Sequence, residues 1–184
     1  MPASDGRVKV QAIITDGEHD AHVDSAGAQI TIDTYHHELH EGEAFGVEHV
    51  YSGVVDAANA DMRLTTGDMQ PHILFEVATS GKAEVKFYQD AVLGTGTAQT
   101  VNNRDLAKAN LTGVTCGVSP TVTSVGNLIF DEVLPGGTKN ASVGGSTSTR
   151  DEWMLKANTV YLIRVVNKAG SANDISIGAS GYIQ

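Results

Sequence analysis

The segment Ile30–Phe45, ITIDTYHHELHEGEAF, gathers His36, His37 and His40 with Glu38 and Glu41. No other stretch is so dense in side chains able to bind a metal or move a proton. The helical metalloprotease pattern needs His-Glu-x-x-His, which brings two imidazoles to one zinc from positions i and i+4. His37-Glu38 is followed at the required place by Glu41 instead. A cupin site begins with His-x-His, and His36-x-Glu38-x-His40 does not match it. No histidine stands in the C-terminal half to complete such a site. In a strand His36 and His40 lie roughly 13 Å apart, too far for a common metal. In a helix they would meet, but the β-branched residues before them and Gly42 after them favour a strand. The expectation is no metal and no cofactor, with the histidines hydrogen-bonded at a surface or interface.

Other reactive groups fit catalysis no better. Neither the GTGTAQ nor the GVSPT stretch is a G-x-S-x-G elbow, and Leu93–Thr97 lacks the G-x-G-x-x-G spacing. Asp131 and Glu132 are adjacent in a predicted strand and point to opposite faces, a poor arrangement for a glycosidase pair. Cys116 sits in an apolar strand and reads as a buried, inert thiol. Trp153, Tyr161 and Tyr88 would make a sugar-stacking platform if exposed together, but Trp153 enters a short apolar strand and reads as core or interface. The chain is not expected to be an enzyme.

Composition narrows the partners. The net charge is −10 and there are no long Lys/Arg clusters, so neither nucleic acid nor an anionic membrane is a natural ligand. With one cysteine no intrachain disulfide forms, so packing or oligomerisation must supply stability. The segment MPASDGRVKV has no apolar h-region, and no window approaches the ~18 apolar residues of a membrane span. A protein made in a cytoplasm is expected.

The elements that would position these residues are strands. Val8–Ile14 reads as a short strand and Asp16–Ala28 as a loop or arm, giving an N-terminal segment over 1–28 and a domain over 29–184. Ile30–Leu39 alternates and reads as a strand, followed by Ala44–Val55, bent at Gly46, and Met62–Thr66. His72–Thr79 and Ala83–Tyr88 flank a Ser80-Gly81 turn and predict a hairpin. The middle, Leu93–Gly113, is weakly patterned, with at most one helical turn over Asn103–Ala109. Val114–Ser124 and Gly126–Leu134 read as strands, Pro135–Thr149 as a long Gly/Ser loop. Glu152–Leu155, Thr159–Asn167 and Asp174–Ile183 close the chain as strands. About nine or ten short strands at turn spacings predict an all-β fold, a single β-sandwich or jelly roll with an N-terminal arm.

Three segments resemble one family. IDTYHHELHEGEAF, with Ile32-Asp33, His36-His37-Glu38-Leu39-His40-Glu41-Gly42 and Phe45, is similar to a segment near the start of the jelly-roll capsid decoration (cement) proteins of tailed bacteriophages. Val101-Asn102-Asn103-Arg104 resembles their Asn-rich central loop. Glu152–Ala169 resembles their closing strand pair, with Lys156-x-Asn158-Thr159-x-Tyr161 and then Asn167-x-Ala169. The terminal strand departs from them in being rich in Gly and Ser. The resemblance implies a structural virion protein on the outer capsid surface, made in the host cytoplasm. It implies a homo-oligomer, with a trimer favoured, that binds the major capsid protein and stabilises the shell without nucleic acid or membrane. His36, His37, Glu38, His40, Glu41, Asn102, Asn103, Arg104 and Trp153 are then the expected interface residues. The alternative is a virion-surface or tail-associated jelly-roll module that binds a host receptor or glycan.

Overall fold

The computed structural model describes residues 34–136, 145–148 and 152–183, with backbone alone at 34, 35 and 145–148. The expected strand Val8–Ile14, the arm Asp16–Ala28 and the boundary between 28 and 29 lie outside the described residues. The described chain starts with a helix, α1 (Thr34–Glu41), then β1 (Ala44–Val54), β2 (Asn59–Thr66), β3 (His72–Thr79) and β4 (Ala83–Gln89). Five short strands follow: β5 (Val92–Leu93), β6 (Thr97–Gln99), β7 (Asn102–Asn103), β8 (Val114–Val118) and β9 (Val122–Ser124). The remainder is β10 (Asn127–Leu134), β11 (Gly145–Ser148), β12 (Trp153–Met154), β13 (Val160–Asn167) and β14 (Asn173–Tyr182).

Eight of these strands set the topology. One sheet runs β11-β3-β14-β1 and the other β10-β4-β13-β2, with every pairing antiparallel. Taken in chain order, the first of the eight pairs with the last (β1 with β14) and the second with the seventh (β2 with β13). The third pairs with the sixth (β3 with β11) and the fourth with the fifth (β4 with β10). This nested pairing is the jelly-roll order, so the expected all-β sandwich is the observed one. Strand β7 extends the first sheet beside β1, and β8 and β6 extend the second beside β2.

The core lies between the two sheets. Phe45, Val47, Ile73, Phe75, Val77, Ile175 and Ile177 face Met62, Leu64, Val85, Phe87, Tyr161, Ile163 and Val165 in one buried cluster. Phe87 is its centre, with ring centroids 5.2 Å from Phe75, 5.6 Å from Tyr161 and 5.9 Å from Trp153. The period-2 alternation expected for Ala83–Tyr88 and Asp174–Ile183 is the alternation seen in burial.

Several expectations need correction. Residues 34–41 are helical, not a strand. Glu38, Leu39 and Glu41 are good helix formers, and the β-branched residues that suggest a strand precede them. β3 and β4 do not form a hairpin, because Ser80–Lys82 carries the chain from one sheet to the other. The chain in β1 is irregular between Tyr51 and Val54, at Gly53 (φ +64°), rather than at Gly46. Val114–Ser124 is broken at Ser119 (φ +50°) and Pro120 into β8 and β9. Asn103–Ala109 forms no helix, only a turn closed by the Lys108 N–H on the Asp105 carbonyl at 3.0 Å. Gly145–Ser148, read as loop, is a strand on β3. Among the described residues fourteen strands thus replace nine or ten, because the weakly patterned middle contributes short ones held by tertiary pairing rather than by its own periodicity.

Each change of sheet leaves corner backbone groups that the ladders do not satisfy. Asn167, fully buried, answers three of them. Its Nδ2 donates to the carbonyls of Val54 (2.7 Å) and Ser171 (2.8 Å), and its Oδ1 accepts from the Ala169 N–H (2.9 Å). It therefore ties the β1–β2 corner to the β13–β14 corner. Beside them the Lys168 N–H donates to the Lys82 carbonyl (2.9 Å), which adds the β3–β4 corner. Replacing Asn167 with Ala should cost about 1–3 kcal/mol, because it removes three hydrogen bonds of a fully buried amide to part-buried corner backbone. Urea denaturation of Asn167→Ala beside wild type checks this, and a change under about 0.5 kcal/mol contradicts it.

Candidate functional site

Two segments far apart in sequence meet at one end of the first sheet. Gly42, at φ +80°, ends α1, with its N–H on the Leu39 carbonyl (3.2 Å) and the Glu43 N–H on the Glu38 carbonyl (2.9 Å). This is a Schellman cap, and a left-handed glycine is what it demands. The loop after β7 seals the cap. Asn103 Nδ2 donates to the Gly42 carbonyl (2.7 Å), and Lys108 Nζ to the Glu41 carbonyl (3.0 Å). A cation at a helix C-terminus also complements the helix dipole. The Arg104 N–H donates to the Ala44 carbonyl (2.8 Å).

Asn103 is the hub of this join and is only 3% exposed. Besides Gly42 it donates to the Ala109 carbonyl (2.9 Å), and its Oδ1 accepts from the Asp105 N–H (2.8 Å). Its own N–H donates to Asn110 Oδ1 (2.9 Å). Of the expected interface residues, Asn103 is therefore internal, while Asn102, Arg104, His36, His37, His40 and Glu41 are exposed and Glu38 is half-buried.

The helix changes the histidine geometry. His36 and His40 do not stand a strand's length apart. Their Nε2 atoms are separated by 2.9 Å on the exposed side of α1, with ring centroids at 4.7 Å. His37 Nδ1 instead lies 3.5 Å from Glu38 Oε1. Among the described residues no group of three or more His, Cys, Asp or Glu side chains is placed to share a metal.

Sequence reasoning passes over a second polar group beside α1. The rings of His72 and Tyr182 stack at 4.8 Å, and His72 Nδ1 lies 3.3 Å from both Tyr182 Oη and Glu152 Oε2. Burial, then Glu152, then the charge of Glu38 hold the Tyr182 phenol above its ordinary range. His72, Glu152 and Tyr182 come together through the β3–β14 and β3–β12 registers, where His72 pairs with Tyr182 and Met154. No local spacing announces them.

Arg104 and Asn102 also wall an open groove of about 650 Å³ on the outer face of β1, β14 and β3. Ser176, Gly178 and Ser180 line it with Glu48, Glu76, Leu74 and Leu106. The Gly/Ser character of the last strand thus has a local consequence, a low central strip between longer side chains. The Arg104 side chain lies over Gly46, where a Cβ would approach its Nε to 3.0 Å.

The three aromatic residues do not assemble into an exposed platform. Tyr161 is 1% exposed, stacks on Phe87 and accepts the Lys156 N–H on its hydroxyl at 2.8 Å. Trp153 is half-buried against Phe87 and Phe130. Cys116 is buried as expected, and burial pushes its thiol up to about 12. Burial likewise raises Tyr51, helped by the neighbouring charges of Cys116 and Asp61. Its hydroxyl donates to the Asp61 carbonyl at 2.6 Å.

No protein-family model matches the chain, and no curated protein matches it. No helix among the described residues is long and apolar enough to cross a membrane.

Two outcomes follow from this geometry. Asn103→Ala should lower stability by about 2–4 kcal/mol and expose α1 to proteolysis, whereas the exposed Asn102→Ala should stay within about 0.5 kcal/mol of wild type. Urea titration and limited proteolysis read both, and equal behaviour of the two variants contradicts the hub. The buried thiol and phenol keep their protons more tightly folded than unfolded. For the thiol that contribution is complete below its ordinary value of 9.0 and is lost as pH rises towards about 12. Thermal unfolding should therefore show falling stability above about pH 9, with less of the fall in Cys116→Ala. A flat alkaline profile argues the opposite.

Proposed function

We propose that the chain is a capsid decoration protein of a tailed bacteriophage. It acts by binding alone, as a homo-oligomer (a trimer favoured) on the outer face of the major capsid protein shell. The observation that carries the reading is that all three segments of the resemblance supply joints that hold one jelly roll and its leading helix together. The histidine segment ends in the Gly42 cap, the Asn-Asn-Arg segment supplies the Asn103 hub, and the closing pair supplies Asn167. Within the closing pair, Thr159 donates its N–H to Thr66 Oγ1 (3.0 Å) and Tyr161 binds the Lys156 N–H. The resemblance thus falls on residues that hold this fold together. The open groove and the acidic composition suit contact with another protein surface better than enclosure of a small substrate.

The reading makes the protein a clamp whose binding free energy is added to the shell's own stability. Phage particles lacking the protein should rupture at a lower temperature than particles to which purified protein has been restored. Restored particles should carry it at a copy number set by the capsid's symmetry. Identical rupture curves, or no retention on particles after sedimentation, would reject the proposal.

A further inference from the structure

We propose that His36 and His40 form a two-histidine chelate on α1 for a divalent transition-metal ion of tetragonal preference, copper(II) or nickel(II). The two side chains occupy positions i and i+4 of a helix, so they project from one face. Their Nε2 atoms approach to 2.9 Å, while the ring centroids stay 4.7 Å apart, so the nitrogen tips converge and the rings diverge. With nitrogen–metal bonds of about 2.0–2.1 Å, an edge of 2.9 Å subtends about 90° at a metal placed between them. That is the angle between neighbouring ligands in a square-planar or octahedral shell. A tetrahedral zinc shell wants a wider separation. Imidazole pairs of this angle suit copper(II) and nickel(II), and copper(II) binds most tightly of the divalent first-row ions.

The proton balance is simple. A neutral imidazole carries one N–H, and in the close pair one Nε2 donates to the other. When a metal binds, that proton moves to Nδ1 of its own ring, both Nε2 lone pairs turn to the ion, and no proton is lost. Both side chains are exposed. His37 is one residue round the helix, beside Glu38, and does not share this face. Metal binding would also staple the last turn of a short helix already fixed by the Gly42 cap.

The test uses the full chain, stripped with a chelator and titrated with copper(II) in a buffer that does not coordinate the metal. His36→Gln, His40→Gln and His37→Gln are run beside it, with all other histidines left in place. Wild type and His37→Gln should hold copper with two coupled nitrogens in the electron paramagnetic spectrum. His36→Gln and His40→Gln should each bind it at least about tenfold more weakly, because each loses the intramolecular second ligand. Equal affinity in all four proteins overturns the proposal. A second readout guards against simple loss of α1: copper should slow amide hydrogen exchange in Leu39–Glu41 of the wild type, and unchanged exchange there overturns it as well.

Discussion

A sandwich whose chain changes sheet at its corners must bury backbone groups there that no ladder can satisfy. The rest of this structure depends on how that is solved. Asn167, Asn173 and Asn103 are all buried, and each serves a place where the chain leaves a strand. A side-chain amide suits the task because it donates and accepts at once, so one residue can serve carbonyls and an N–H together. Asn167 and Asn103 do so: the Nδ2 of each reaches two carbonyls while its Oδ1 takes one N–H. A buried aliphatic residue would add apolar contact but strand those groups, at a cost larger than the contact returns.

The same demand explains what is legible in the sequence. Alternation identifies the inner faces of β3, β4, β13 and β14, because each strand buries every second residue whatever sheet it joins. It does not identify the partner. Ile73, Phe75 and Val77 could face the same core as Val85 and Phe87 through a hairpin or through a crossover, and the pattern is identical in both. The choice is made by the corner, where the Gly81 N–H meets Thr79 Oγ1 and the Lys82 carbonyl meets the Lys168 N–H. The second of these contacts joins residues on opposite halves of the chain, and a local reading has no access to it. β11 escapes the same reading for a related reason: Gly145–Ser148 lacks apolar alternation and becomes a strand by pairing with Glu76–Thr79.

The helix at 34–41 shows how one misassigned element alters a site. Side chains four apart diverge along a strand and converge on a helix, so the relation of His36 to His40 depends wholly on secondary structure. The deciding signal is Gly42. In sequence a glycine ends a strand or a helix equally well, whereas its left-handed φ here is what a Schellman cap requires. Cys116 is legible because burial of a lone thiol in an apolar strand depends only on local composition. The group of His72, Glu152 and Tyr182 is not, because it is assembled by register between β3, β12 and β14.

Electrostatics divides the two sheets unequally, and this bears on which face can meet another molecule. On the second sheet Arg164 holds Asp61 through two hydrogen bonds of 2.8 and 2.7 Å, directly across the β13–β2 register. Its guanidinium is raised first by that pairing, so the charge is neutralised within the sheet. On the first sheet Glu48 and Glu76 flank the Ser176–Ser180 strip, and Arg104 enters from the neighbouring loop to lie over Gly46. Arg104 comes from the same loop as Asn103, so the hub that seals the helix also sets the cation that walls the groove. The fold-holding interaction and one wall of the groove are thereby built from adjacent residues. Loosening Asn103 would move Arg104 with it, so the cap and that one wall of the groove are coupled.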